Sequence, residues 1–149
     1  MSKKCYICQY CESKTDFYSS KAIIRLLNIL MDTENFDTFI FDNDKEFCEI
    51  CYDIIKSNNK KIDCKILDYG DKNISNKFNL EKISFYTNKK GAEAFIETGF
   101  NAIDYCDCCI YFIDYFNNFS NSCSINYAIK NNKKAYFILT HCEKYVTLN

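Results

Sequence analysis

The segment DTFIFDNDKEFCEICYDII, residues 37–55, decides the fold. Its first part, Asp37 to Asp42, is a continuous run of β-prone apolar side chains, which is typical of a strand covered on both faces. Its second part spaces its apolar side chains as one face of a helix does, and Asp44 can cap that helix. The helical face comprises Phe47, Cys48, Cys51, Ile54 and Ile55. The segment therefore predicts one β-α unit.

Strands and helices alternate on both sides of this unit. Further strands are predicted at 5–8, 62–66, 108–113 and 135–139, with a possible short strand at 83–86. Helices are predicted to begin after the cap at 13–16, at Asn88, and at Ser120 or Ser122. This alternation predicts one three-layer, Rossmann-like α/β domain over residues 1–149, with a mostly parallel sheet of about five strands flanked by helices.

Two details of that sheet follow from local patterns. Ile62, Cys64 and Ile66 alternate with polar residues, so the strand at 62–66 is expected to form an edge of the sheet. The polar stretch at 69–82 contains Gly70 and is expected to be a long loop.

Composition limits the possible functions. The chain has 149 residues, 48% of them hydrophobic, and a net charge of −1. This profile is typical of a globular protein, and it leaves no positive surplus for a nucleic-acid polymer. No apolar run is long enough for a membrane span or a signal peptide, so we expect no membrane partner and a cytoplasmic location. We also expect a homo-oligomer, dimeric or larger.

Eleven cysteines raise the question of zinc or redox chemistry. Cys5 and Cys8 have C-x-x-C spacing, but alternate positions of a strand point to opposite faces, which disfavours chelation by this pair. Cys48 and Cys51 lie on a helix face that is typical of core. We therefore predict buried thiols without a metal or cofactor. The remaining metal or redox candidate is Cys8 or Cys11 with Cys142.

The carboxyl ends of the predicted strands carry the candidate binding residues. Parallel sheets bind ligands beyond these ends, near the point where the strand order reverses. Tyrosines there can stack on a base or ribose, whereas His141 is interpreted as an exposed residue of the carboxyl-terminal tail. The candidates are Gln9, Tyr10, Cys11, Asp42, Asn43, Tyr86, Asp114, Tyr115, Ser122 and Ser124.

Three segments agree in order and spacing with one known family. They are residues 36–55, residues 91–114, which include Glu97 and Asp104, and residues 126–130 together with the final strand. On these segments the chain resembles the SLOG superfamily of Rossmann-like nucleotide-binding domains, specifically its short YpsA-like branch. The resemblance covers nearly the whole chain and implies a nucleotide-binding domain.

The resemblance also implies where a phosphate would be held. Members of that family carry Gly-His-Arg after the first strand, a glycine turn after the second, Glu-Arg-Asn in the later helix and Gly-Thr before the last helix. The matching positions here are Gln9-Tyr10-Cys11, Asp42-Asn43, Glu97-Thr98-Gly99 and Cys123-Ser124. Because glycine and arginine are lost, and Asp42 and Asp44 stand nearby, we expect the domain not to bind an ordinary free phosphate group.

Three functions remain open at this point. The first is a non-catalytic module that binds a nucleotide-derived small molecule in order to sense or sequester it. The second is an N-glycosidic-bond hydrolase or transferase that acts on a nucleoside or nucleotide, with Glu97 as catalytic residue and Asp42 or Asp114 as second carboxylate. The third is a ligand-free interaction protein that works through an oligomeric surface.

Overall fold

The computed structural model describes residues 2–71, 75–114 and 122–148. Helices and strands alternate along the chain, as the sequence predicts. The strands are β1 Lys4–Gln9, β2 Thr38–Phe41, β3 Asp63–Leu67, β4 Glu81–Ile83, β5 Cys108–Ile113, β6 Lys134–Leu139 and β7 Val146–Leu148. The helices are α1 Phe17–Asn28, which continues into a π-helical turn at Ile29–Thr33, α2 Glu46–Lys56, α3 Ala92–Tyr105 and α4 Cys123–Lys130.

Within the described residues the strands form one seven-stranded sheet in the order β4-β3-β2-β1-β5-β6-β7. The neighbours from β4 to β6 are parallel, and only the last pair, β6 with β7, is antiparallel. The chain starts at β1 and moves outward on one side, then returns to β5 and moves outward on the other. The sheet is therefore Rossmann-like, with its switch point between β1 and β5.

The prediction that β3 is an edge strand is wrong. β4 pairs with β3, so that Lys65 lies opposite Glu81 and their side chains form a salt bridge at 3.3 Å. This short strand lies at 81–83, earlier than the predicted 83–86, and it interrupts the expected loop at 69–82. β7 likewise extends the sheet beyond β6, so the sheet has two more strands than the predicted core of about five.

Side-chain caps mark the start of two of the helices, α1 and α4. Asp16 and Ser19 form the capping box of α1, and Ser122 caps α4, as predicted. The predicted cap of α2 by Asp44 is wrong, because that carboxylate accepts hydrogen bonds from Ser75 and Lys77 instead. α3 begins after Gly91, whose φ of 61° suits glycine, and not at Asn88.

The sheet separates two cores. Side chains alternate along β1, so Cys5 and Ile7 enter the core under α1 and α2, whereas Tyr6 and Cys8 enter the core under α3 and α4. The first core is the larger, and Phe47 of α2 stacks within it on Phe112 at 4.9 Å. This alternation confirms that Cys5 and Cys8 point to opposite faces.

The buried thiols belong to these cores. Cys48 and Cys51 are fully buried, as predicted, and all eleven cysteines are free. Burial raises the pKa of the Cys109 thiol to about 12 and that of Cys64 to about 12. Among the described residues, no three His, Cys, Asp or Glu side chains are placed to hold a metal ion.

None of the helices in the described part of the chain has both the length and the apolar character that crossing a membrane requires.

Candidate functional site

A cleft of about 440 Å³ opens beyond the carboxyl ends of β1 and β2. It lies on the α3 and α4 side of the sheet, beside the switch point where ligands of such folds bind. The volume is in the range of small-molecule sites. The cleft is lined by Tyr6, Cys8, Gln9, Tyr10, Asp42, Asn43, Lys45, Tyr69, Phe95, Ile96, Gly99, Phe100, Ser122, Cys123 and Ser124.

Asp42, the residue that follows β2, is the polar centre of the cleft. Its Oδ1 accepts hydrogen bonds from the hydroxyls of Tyr6 and Tyr69, and its Oδ2 accepts one from Asn43 Nδ2 at 3.2 Å. Burial and the neighbouring carboxylate raise the pKa of both tyrosines well above the usual value, so both stay protonated and donate. Asp42 is therefore held in one orientation from two sides.

An aromatic wall stands next to this carboxylate. Tyr69 follows β3 and stacks on Phe95 of α3, with ring centroids 5.0 Å apart and planes 16° apart. Gly99, one turn further along α3, lies opposite the tyrosine, and a Cβ added there would be 4.0 Å from its hydroxyl oxygen. Glycine inside a helix costs about 1 kcal/mol relative to alanine. Here it leaves the space beside Tyr69 open.

The first turn of α4 forms another part of the wall. Ser122 accepts a hydrogen bond from the backbone N–H of Ile125, and the Ser124 hydroxyl lies 3.1 Å from that of Tyr111. Cys123 between them is exposed. The turn brings the partial positive charge of a helix N-terminus to the cleft.

Two further polar residues of the cleft are engaged elsewhere. The Gln9 amide accepts a hydrogen bond from Phe47 N at 2.8 Å and donates one to the Cys11 carbonyl at 2.7 Å. It thereby joins the end of β1 to the start of α2. Lys45 Nζ donates to Glu12 Oε1 at 2.6 Å, and this bond raises the pKa of the lysine.

Six of the predicted binding residues line the cleft, which brings together the ends of β1 and β2 with the start of α4. They are Gln9, Tyr10, Asp42, Asn43, Ser122 and Ser124. Tyr115 lies outside the described residues. Asp44, which the sequence placed near the site, is buried and turned toward the connection between β3 and β4.

The remaining predicted residues do not line the cleft. Cys11 packs into the core under α1 and α2. Tyr86 is 87% exposed, because β4 ends before it. Asp114 follows β5 and accepts a hydrogen bond from Ser13 at 2.6 Å. Glu97 lies in an adjacent shallow groove with Glu93 and Lys89, which shares Ile96 and Phe100 with the cleft.

Sequence reasoning missed the residues of the aromatic wall. Phe95 and Ile96 have the spacing of one apolar helix face, yet each is 42% exposed and lines the cleft. Tyr69 lies two residues beyond the apolar end of β3, so its position after a strand resembles that of Asp42. Gly99 inside a helical pattern carried a signal of its own, since glycine at such a position costs about 1 kcal/mol relative to alanine.

His141 belongs to a different corner of the molecule. Its backbone N–H donates to Asp16 Oδ2 at 2.6 Å, and its imidazole Nδ1 lies 3.2 Å from the same oxygen. The side chain is mostly exposed, as predicted, but the residue connects the turn after β6 to the start of α1.

Comparison with known proteins does not identify a family for this chain. No model of a protein family matches it, and no curated protein is similar enough to count as a relative. Membership of the SLOG superfamily therefore stays a prediction.

Proposed function

We propose that this domain is a non-catalytic binding module for a nucleotide-derived small molecule. The observation that carries the proposal is the position of the cleft. It lies at the carboxyl ends of β1 and β2, with aromatic side chains and one oriented carboxylate in its lining. Rossmann-like domains hold nucleotides in this position, and an acidic residue near the second strand accepts hydrogen bonds from ribose hydroxyls.

The lining suits the parts of such a ligand. Tyr10, Tyr69 and Phe95 offer ring faces for a base, and aromatic pairs are worth about 0.5–1.5 kcal/mol beyond their buried area. Asp42 Oδ2 retains acceptor capacity beside its bond from Asn43, so a ribose hydroxyl or a ring amine can donate to it.

Catalysis is less well supported by the lining. Glycosidic-bond hydrolysis commonly uses two carboxyl groups about 5–9.5 Å apart. Among the described residues of the cleft, Asp42 is the only carboxylate, and Glu97 lines the adjacent groove and not the cleft itself. Binding without turnover is therefore the function that the arrangement favours. Self-association of the chain stays a prediction.

Native mass spectrometry of the freshly purified chain, with release and mass analysis of any adduct, tests the proposal. We expect a nucleoside- or nucleotide-sized adduct, or binding of such compounds when they are added. Phe95→Ala should lose this binding because it removes the stacking partner of Tyr69. The matched control is Phe17→Ala, since Phe17 is 68% exposed on α1 and lies outside the cleft. Equal binding by both variants, or no binding by the parent chain, would contradict the proposal.

A further inference from the structure

The cleft contains very little positive charge. Among its described lining residues, Asp42 and Lys45 are the only charged side chains. Lys45 is neutralised by Glu12 at 2.6 Å, and the chain's single arginine, Arg25, donates to the Glu143 carbonyl from α1, outside the cleft. Lys45 also interacts with the charge of Asp42, but its ion-pair partner is Glu12, so the three groups together carry one net negative charge.

The first turn of α4 does not reverse this balance. A helix N-terminus is equivalent to roughly half a positive charge, which is less than the full negative charge of one carboxylate. The Ser122 side chain also accepts a hydrogen bond from the backbone N–H of Ile125, so one of the N–H donors of that turn is already used. A dianionic phosphate in the cleft would therefore meet net repulsion from the carboxylate, since like charges at this range repel even where water screens them.

The polar groups of the cleft also favour one kind of hydrogen bond. Both tyrosine hydroxyls donate to Asp42 Oδ1, and the Asn43 amide donates to Oδ2. The Gln9 amide is engaged at both of its ends. What the centre of the cleft offers a ligand is chiefly an acceptor, the second lone pair of Asp42 Oδ2. The matching ligand presents a hydroxyl or an N–H and carries no negative charge.

We infer that the cleft selects uncharged nucleosides over their phosphorylated forms, with Asp42 as the residue that determines this specificity. The inference rests on the proposed function and names the ligand class. The base lies against Tyr69 and Phe95, and a ribose hydroxyl or exocyclic amine donates to Asp42 Oδ2.

Isothermal titration calorimetry of the full chain tests this with adenosine, guanosine, cytidine, uridine and their 5′-monophosphates. At low salt we expect the best nucleoside to bind about tenfold more tightly than its own monophosphate, because of the charge on Asp42. Added salt should reduce this ratio by screening.

Two variants test the cause of the preference. Asp42→Asn removes the charge, and its remaining oxygen can still accept from the two tyrosines, so an NH2 donor takes the place of the Oδ2 acceptor. The variant should therefore weaken nucleoside binding and bring the ratio close to one. Glu12→Gln frees Lys45 without touching the core, since the Glu12 side chain is 85% exposed. It should strengthen monophosphate binding several-fold and leave nucleoside binding unchanged.

The possible failures are distinguishable. If a monophosphate binds the parent chain as tightly as its nucleoside, or if neither variant changes the ratio, the specificity inference is overturned while the proposed function stands. If no compound of either class binds, the proposed function fails and the inference fails with it.

Discussion

The two faces of the sheet receive side chains from the same strands but are closed differently. Under α1 and α2, helix and strand side chains meet fully, and Phe47 is completely buried against Phe112. Under α3 and α4 the helices meet the sheet at Ala102, Ile103, Ile125 and Ala128, while the start of α3 stands off and leaves Phe95 partly exposed. The cleft therefore arises from the placement of α3 over an otherwise ordinary core.

Replacing one phenylalanine on each face with alanine should show the largest effect of this difference in packing. Phe47→Ala should lower the free energy of unfolding by about 3–5 kcal/mol, because it empties a closed core. Phe95→Ala should cost about 1 kcal/mol, since that ring is already partly in water. Denaturant titration of both variants checks the contrast. Similar losses would mean that the α3 face is as tightly packed as the other.

The free energy of unfolding at alkaline pH tests whether water is excluded from the core under α3 and α4. Burial raises the pKa of Cys109 from 9.0 to about 12, so the folded state keeps the thiol while the unfolded state ionises. The stability from this thiol is fully present below pH 9 and is lost between pH 9 and 12, at about 1.4 kcal/mol per pH unit.

Cys109→Ala isolates this contribution. Its loss of stability at pH 7 reports packing, and we expect its unfolding free energy to fall less steeply than that of the parent chain between pH 9 and 11. Equal slopes would mean that water reaches this thiol in the folded state.

Gly99→Ala should stabilise the fold while it narrows the cleft. The position is helical, and the added Cβ would lie 4.0 Å from the Tyr69 hydroxyl without a clash. Alanine should therefore raise the free energy of unfolding by up to about 1 kcal/mol, and nucleoside binding should weaken. Gly91→Ala is the contrasting control, because its φ of 61° disfavours a side chain and the change should destabilise. A destabilised Gly99→Ala would show that the gap beside Tyr69 is not open.

Tyr86→Ala should have the smallest effect. The side chain is almost fully exposed and lies outside the cleft, so stability should change by less than about 0.5 kcal/mol and nucleoside affinity should be unchanged. Calorimetry and thermal unfolding check both. A marked loss of affinity would extend the site toward the end of β4.

The sequence predicted the fold better than it predicted the site. Unbroken apolar strands such as 108–113 and the cap at Asp16 specify local structure through their own residues, and both were predicted correctly. β4 is three residues long and has a single apolar side chain, so the sequence pattern that would predict its pairing with β3 was weak.

The site was predicted only in part, because local patterns place some of its residues and long-range packing places the others. Asp42 and Ser124 follow or open regular elements, so topology alone places them at the cleft. The contact between Tyr69 and Phe95 depends on how α3 lies over the sheet, and that angle is set by packing across residues far apart in the chain. Choosing binding candidates because they follow a predicted strand also selects Tyr86 and Asp114, which do not line the cleft.

The most direct test of the central claim is an amide chemical-shift titration of the ¹⁵N-labelled chain with the nucleoside that binds best. The account predicts that the shifts concentrate at the ends of β1 and β2, at Tyr69 and in the first turns of α3 and α4, with little change along the buried faces of α1 and α2. Shifts that instead concentrate at Lys89 and Glu97, which line only the adjacent groove, or along α1, would contradict it.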